Sequence, residues 1–188
     1  MIHKISTKGM SRDEWLQLRQ KTIGGSDAAA IIGLSKWETS YSVWAEKTGR
    51  IAHTEDNEAM RTGRDLEEYV AKRFEEATGK KVRRENNVLY NDQFPFAHAN
   101  IDRIVIGEKA GLECKTTSVL NLSKFQGGDY PDNYYVQCVH YLAVTELERW
   151  YLAVLVLGKG LYTYCIERNQ AEIDALLAAE AGFYQYIE

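Results

Sequence analysis

The sequence predicts an α/β (α+β) domain with a central mixed β-sheet flanked by helices. Helical periodicity holds over residues 11–78, strand-length segments replace it over 82–117, and a helix, a hairpin and a last helix complete the chain. At 188 residues the chain fits one domain and is long enough to bury a core without disulfides or a structural metal. Hydrophobic residues at 45% and charged residues at 27% exclude a disordered chain.

The elements follow in order. Ser11-Arg12-Asp13-Glu14 is a capping box, in which Ser11 and Glu14 satisfy each other's backbone donors. It opens a helix to about Gln20, with Trp15, Leu18 and Arg19 on adjacent turns. Gly24-Gly25 breaks the chain, and Ser26 is the expected N-cap of a small apolar helix over 27–32, closed by Gly33. A third helix covers 40–48 and stops at Gly49. The longest covers 57–78, with Met60, Gly63, Leu66, Glu67, Val70 and Phe74 near one face and Gly79 after it. A glutamate on that face is out of pattern. Segments 82–90, 97–106 and 110–117 read as strands, with turns at Asn91-Asp92 and Gly107. A loop holding Gly127, Gly128 and Pro131 precedes a helix over 132–145. Segments 149–157 and 161–167 form a hairpin across Gly158-Lys159-Gly160, and an Ala/Leu-rich helix covers 169–186.

The net charge of −4 argues mildly against DNA binding, because phosphate contacts need Lys and Arg. Basic residues are nevertheless concentrated at Arg61, Arg64, Lys72, Arg73, Lys80, Lys81, Arg83 and Arg84. That set reads equally as a DNA-facing patch and as a solvated helix face with a basic turn. Cys114, Cys138 and Cys165 are odd in number and lack C-x-x-C spacing, so they read as reduced, mostly buried thiols of a cytoplasmic protein. Three cysteines at these spacings cannot hold an iron–sulfur cluster. The N-terminal stretch has no apolar core of a signal peptide, and no apolar run approaches the ~18 residues of a membrane span.

Chemistry concentrates in Asn100-Ile101-Asp102 and Leu112-Glu113-Cys114-Lys115. Alternate strand residues share a face, so Glu113 and Lys115 project together and Cys114 faces away. Asp102, closing the neighbouring strand, falls beside Glu113. Two unpaired carboxylates ~4 Å apart repel by about 4 kcal/mol at an effective dielectric of roughly 20. A divalent cation, a shared proton or Lys115 would relieve that. Oxygen ligands with waters suit Mg²⁺ or Mn²⁺ better than zinc. On spacing alone, a surface hairpin with a cross-strand Glu–Lys pair is the better explanation, because Asp-x10-Glu-x-Lys occurs often by chance. Two further features bear on the choice. Glu67 lies on the inward face of the long helix, and Gln137 and Tyr141 share a helix face at i, i+4. Trp15, Trp37 and Trp44 read as core and cap aromatics, and His98 and His140 as hydrogen-bonded structural histidines.

These blocks together resemble the YqaJ-type viral recombinase family, which includes the exonuclease of phage lambda and belongs to the PD-(D/E)XK nuclease superfamily. The resemblance runs from Trp15 to the last helix. It is carried by Trp15…Arg19…Ile23-Gly24-Gly25-Ser26-Asp27, Gly63-Arg64-Asp65-Leu66-Glu67, His98-Ala99-Asn100-Ile101-Asp102, Leu112-Glu113-Cys114-Lys115, and Tyr135-Val136-Gln137…His140-Tyr141-Leu142. The Pro of the superfamily's name is absent, since Ile101 precedes Asp102.

The resemblance implies a restriction-endonuclease-like core over 57–188, with a helical part over 1–50 that binds DNA ends. Asp102 and Glu113 correspond to the metal-binding pair, joined by the Cys114 carbonyl and by Glu67. Lys115 corresponds to the catalytic lysine and Gln137 to the glutamine of the helix motif. Arg19 and Ser26 correspond to the pair receiving the DNA 5′-phosphate, a role that suits a guanidinium and a hydroxyl at a helix start. The implied activity is a Mg²⁺-dependent (or Mn²⁺-dependent) 5′→3′ exonuclease with two ions, acting on double-stranded DNA ends and leaving 3′ single-stranded tails. Its implied partners are a single-strand annealing protein and further copies in a ring-like trimer, in a bacterial host cell carrying a phage or prophage. An endonucleolytic or structure-specific nuclease uses the same residues, and a DNA-end-binding module without catalysis is the reading from another class.

Overall fold

The computed structural model describes residues 1–53 and 56–188. Its elements are β1 (Ile2–Ser6), α1 (Arg12–Gln20), α2 (Gly25–Ile31), α3 (Ser40–Lys47), α4 (Glu58–Thr78), β2 (Val82–Arg84) and β3 (Asn87–Asn91). There follow β4 (His98–Asn100), β5 (Arg103–Val105), β6 (Ala110–Thr117), a 3-10 stretch (Val119–Gly128), α5 (Asp132–Thr145), β7 (Arg149–Val156), β8 (Gly160–Glu167) and α6 (Gln170–Tyr184).

The strands form two sheets. The larger is mixed, in the order β2-β5-β6-β7-β8, with β6 and β7 parallel and the other pairs antiparallel. The smaller has the order β1-β3-β4. Two segments expected as continuous strands, 82–90 and 97–106, are each divided between the sheets. The antiparallel ribbon they form bends as it passes from one sheet to the other. Between the rungs Arg84↔Arg103 and Val88↔Asn100, residues 85–87 stand opposite residues 101–102. The extra residue is a bulge in kind, and bulges bend a ribbon and end its pairing locally. Asp102 sits in that bend.

Three other expectations need correction. Residues 2–6 pair with β3, a strand that its short, weakly patterned sequence did not announce. The segment after β6 is 3-10 helix kinked at Gln126 and Gly127, in place of a plain loop. The N-cap of α2 is Gly24, two residues before Ser26; Asp27 accepts the Gly24 N–H at 2.8 Å, and the Ser26 hydroxyl turns to Arg19.

The large sheet is covered on both faces. Val70, Ala71 and Phe74 of α4 pack on Leu112, Ala153 and Leu155, with Cys114 beside them. On the other face, Phe125 of the 3-10 stretch and Tyr134 of α5 pack on Leu152, Val154 and Val156. A third cluster joins Ala28 and Ala29 of α2 to α5, α6 and the small sheet. Gly111 makes part of this packing, because a Cβ there would fall 2.3 Å from the Trp150 ring on β7. Trp150 is fully buried and meets Tyr141 of α5, ring centroids 5.1 Å apart.

Candidate active site

Leu112 and Cys114 point to α4, so Glu113 and Lys115 point to the α5 face, as strand alternation requires. There Lys115 Nζ lies 2.8 Å from Glu113 Oε1 and donates to Gln137 Oε1 at 2.8 Å. Gln137 Nε2 donates to Glu113 Oε1 at 3.0 Å and to Tyr141 Oη at 2.8 Å. Tyr141 Oη in turn donates to the Asn100 carbonyl at 3.1 Å. Asp102 stands at the rung beyond Arg103↔Leu112, beside Glu113, and its Oδ2 accepts the Cys114 N–H at 2.8 Å. The bend therefore replaces a ladder acceptor with a carboxylate. Asp102, Glu113, Lys115 and Gln137 come together as the sequence led us to expect.

The charges are unevenly compensated. Burial lifts the Asp102 pKa well above the usual carboxylate range, and the neighbouring charges of Glu113 and Glu67 lift it further. Burial works against the Lys115 ammonium, but Glu113 outweighs it and raises the lysine pKa. The Tyr134 ring also lies 5.2 Å from Lys115 Nζ, within cation–π range. Glu113 is 4% exposed, and its Oε2 has no hydrogen-bond partner.

Arg19 and Ser26 line the same cavity as Asp102, Glu113 and Gln137, a space of about 190 Å³. Arg19 Nη2 donates to Ser26 Oγ at 2.9 Å, and its guanidinium stacks 4.5 Å from the Trp15 ring centroid. Close backbone approach builds this wall. A Cβ on Gly25 would fall 2.6 Å from the Tyr141 ring, and one on Gly24 would fall 2.9 Å from His98 Nε2. Beneath it, buried Asp27 and Lys47 pair at 2.7 Å, and Lys47 Nζ also donates to the Arg19 carbonyl at 2.9 Å. Ile23 and Ala97 bridge the segment to the sheet side, while His98 Nδ1 and Thr22 Oγ1 share a hydrogen bond of 2.8 Å.

Other expected residues sit differently. Glu67 lies on α4, so it approaches from the opposite face and its Oε1 pairs with Arg103. It borders a second cavity of about 150 Å³ that also contains Asp102. Among the described residues, no group of three His, Cys, Asp or Glu side chains is arranged to hold a metal ion. The Cys114 backbone is at the site through its bond to Asp102, and burial pushes its thiol pKa well up. The basic set over 61–84 is largely matched by carboxylates: Arg61 by Asp65, Arg64 by Asp56, Arg73 by Glu76, Lys80 by Glu108, Lys81 by Glu75, Arg83 by Glu85 and Arg84 by Glu68. Trp37 is not a core aromatic: it is 86% exposed, on a bend between α2 and α3.

Residues 14–148 match the sequence model of the YqaJ-like viral recombinase domain. The chain belongs to that family. It is 47% identical over 178 residues to the uncharacterized protein YqaJ of Bacillus subtilis (strain 168), covering 93% of this chain and 56% of that protein. This YqaJ-like chain thus spans little more than half the length of that relative. Its fold is similar to the alkaline exonuclease LHK-Exo of Laribacter hongkongensis, with a TM-score of 0.79, 20% identity and coverage of 93% of this chain and 92% of that one. A phage-related exonuclease of Haemophilus somnus 129PT matches with a TM-score of 0.67, 13% identity and coverage of 92% and 96%. At these identities the likeness concerns the fold, a mixed sheet between helices.

The YqaJ-like site fits a divalent ion in its donor set. Asp102 and Glu113 offer hard oxygen ligands, and the buried Glu113 Oε2, which makes no hydrogen bond, leaves one of them free to meet an ion. Sequence reasoning gave no role to Asn100 or Arg103, which complete the walls. Arg103 carried one signal: a charged residue in an apolar strand, next to the key aspartate.

Proposed function

We propose that this chain is a divalent-metal-dependent exodeoxyribonuclease that acts 5′→3′ on linear double-stranded DNA and leaves 3′ single-stranded tails for recombination. The observation carrying this reading is the shared cavity: the Arg19–Ser26 pair and the Asp102–Glu113–Gln137 cluster line one space. A guanidinium with a hydroxyl suits a terminal phosphate, and a cleft between carboxylates suits a phosphodiester with its ions.

Asp102, Glu113 and the Cys114 carbonyl would hold Mg²⁺ or Mn²⁺, with Glu67 supporting a second ion. Such an ion, when bound, polarises a phosphoryl oxygen and makes water acidic enough to attack. The chain's own residues then set geometry. Gln137 and Glu113 hold the Lys115 ammonium, which would orient the attacking water. Arg19 and Ser26 hold the end of the strand, which gives the cut its direction. The tail so produced is a substrate for a single-strand annealing partner, and a ring of three copies would keep the enzyme on its DNA.

The test is a linear duplex with a 5′-phosphate at one end, incubated with Mg²⁺ and the wild-type or Lys115→Ala protein. Nucleotides should leave from the phosphorylated end with wild type, and Lys115→Ala should release none. Cleavage of covalently closed circles would replace this reading with an endonuclease. DNA bound but uncut with wild type would leave an end-binding module.

A further inference from the structure

Arg84 and Arg103 are cross-strand partners on β2 and β5. Like charges directly opposite in a ladder are destabilising, so the pair needs counter-charge. Two consecutive glutamates of α4 supply it. Arg103 is 3% exposed, and it donates to Glu67 Oε1, to Glu68 Oε2 at 3.1 Å and to the Asp102 carbonyl at 2.9 Å. Arg84 donates to Glu68 Oε2 at 2.6 Å. Glu68 is therefore held twice and is 70% exposed, whereas Glu67 is 28% exposed and borders the Asp102 cavity.

We infer that Arg103 is a positioning residue for Glu67: it anchors one carboxylate oxygen of a side chain that borders the Asp102 cavity. The planar guanidinium suits the task, because its fixed fork spans Glu67, Glu68 and the Asp102 carbonyl at once, which a lysine cannot do. Its contact with the Asp102 carbonyl ties the same group to the bend of the ribbon. One buried side chain thus sets the distance between a carboxylate from the helix layer and one from the sheet. Hydrogen bonds of this kind orient the carboxylates that bind metals, and their loss lowers metal affinity.

The inference rests on the metal-dependent reading above. The test is Mn²⁺ binding to the whole protein by titration calorimetry, with thermal unfolding recorded for each variant. Glu67→Gln and Arg103→Met should each weaken Mn²⁺ by roughly 10–100-fold. If Arg103 acts through Glu67, the double variant should bind no more weakly than Glu67→Gln alone. Glu68→Gln, which leaves the Glu67 contact in place, should bind as wild type. If Arg103→Met does not fold, Arg103→Lys takes its place; it keeps the charge, loses the fork and should also weaken Mn²⁺. Wild-type affinity in the Arg103 variant, beside a weakened Glu67→Gln, overturns the role of Arg103 and leaves the nuclease reading standing. Additive losses in the double variant overturn it too, since they mark a general structural effect. A wild-type protein that binds no Mn²⁺ overturns both readings, and the cleavage assay without Mn²⁺ separates that outcome from a weak variant.

Discussion

Gln137 sets its carbonyl oxygen on Lys115 and divides its NH2 between Glu113 and Tyr141. No hydrophobic side chain of the same size satisfies three polar neighbours, which is why an amide sits in this buried position. The site depends as much on a residue with no side chain. Gly25→Ala would drive a Cβ to 2.6 Å from the Tyr141 ring and 3.1 Å from Gln137 Cγ. Overpacking of this kind costs about 1–3 kcal/mol, so denaturant unfolding should show a loss of that size. Turnover on linear DNA should fall as well, because the displaced atoms hold Lys115. The pairing of Glu113 with Lys115 was legible in the sequence from strand alternation alone. The role of Gly25 was not, because its need is set by a helix more than a hundred residues away.

At the scale of elements, α5 and α6 are joined by an ion pair in the core. His140 Nδ1 and Glu180 Oε1 lie 2.7 Å apart with both side chains fully buried, and His140 Nε2 meets the His98 carbonyl at 2.8 Å. Burial alone would lower the His140 pKa, yet the Glu180 carboxylate outweighs it and holds the pKa above the ordinary value. The pair's contribution is then complete below the unfolded pKa of about 6.5 and is lost as pH rises through the folded pKa. Thermal midpoints measured upward from pH 6 should fall on that limb, and a His140→Phe/Glu180→Leu double variant should flatten it. Helices were legible in the sequence because their caps are local: the Ser11–Glu14 capping box is present as read, and α4 ends at Gly79 in the left-handed conformation. The strands near the site were not, because the short polar run Glu85-Asn86-Asn87 does not by itself tell a strand interior from a passage between sheets. Residues 85–87 and 101–102 carry no Gly or Pro to announce the break.

Across the whole molecule, the helices on the two faces of the large sheet bring opposite sides of the site together around one bent strand pair. That arrangement predicts coupling between ion binding and folding. An ion bound only by the folded chain stabilises it by about 2.7 kcal/mol at one hundred times its dissociation constant. Adding Mn²⁺ to chelator-treated protein should therefore raise the unfolding midpoint, and Asp102→Asn/Glu113→Gln should abolish the rise. The family resemblance in the sequence rested on blocks far apart in the chain; folding gathers the first, third, fourth and fifth of them around one cavity. The second, with Glu67, comes from α4 on the other face of the sheet, where Arg103 ties it to the Asp102 side. That cavity has a further consequence for the proposed reaction. Its ends are fixed, with Arg19 on a wall anchored by the Asp27–Lys47 pair and Asp102 in the bend of the ribbon. A strand seated with its terminus on one wall would meet the Asp102–Glu113 carboxylates at a constant distance. Under the proposed reaction the pocket would act as a ruler, the spacing between its two walls setting the length of each released product.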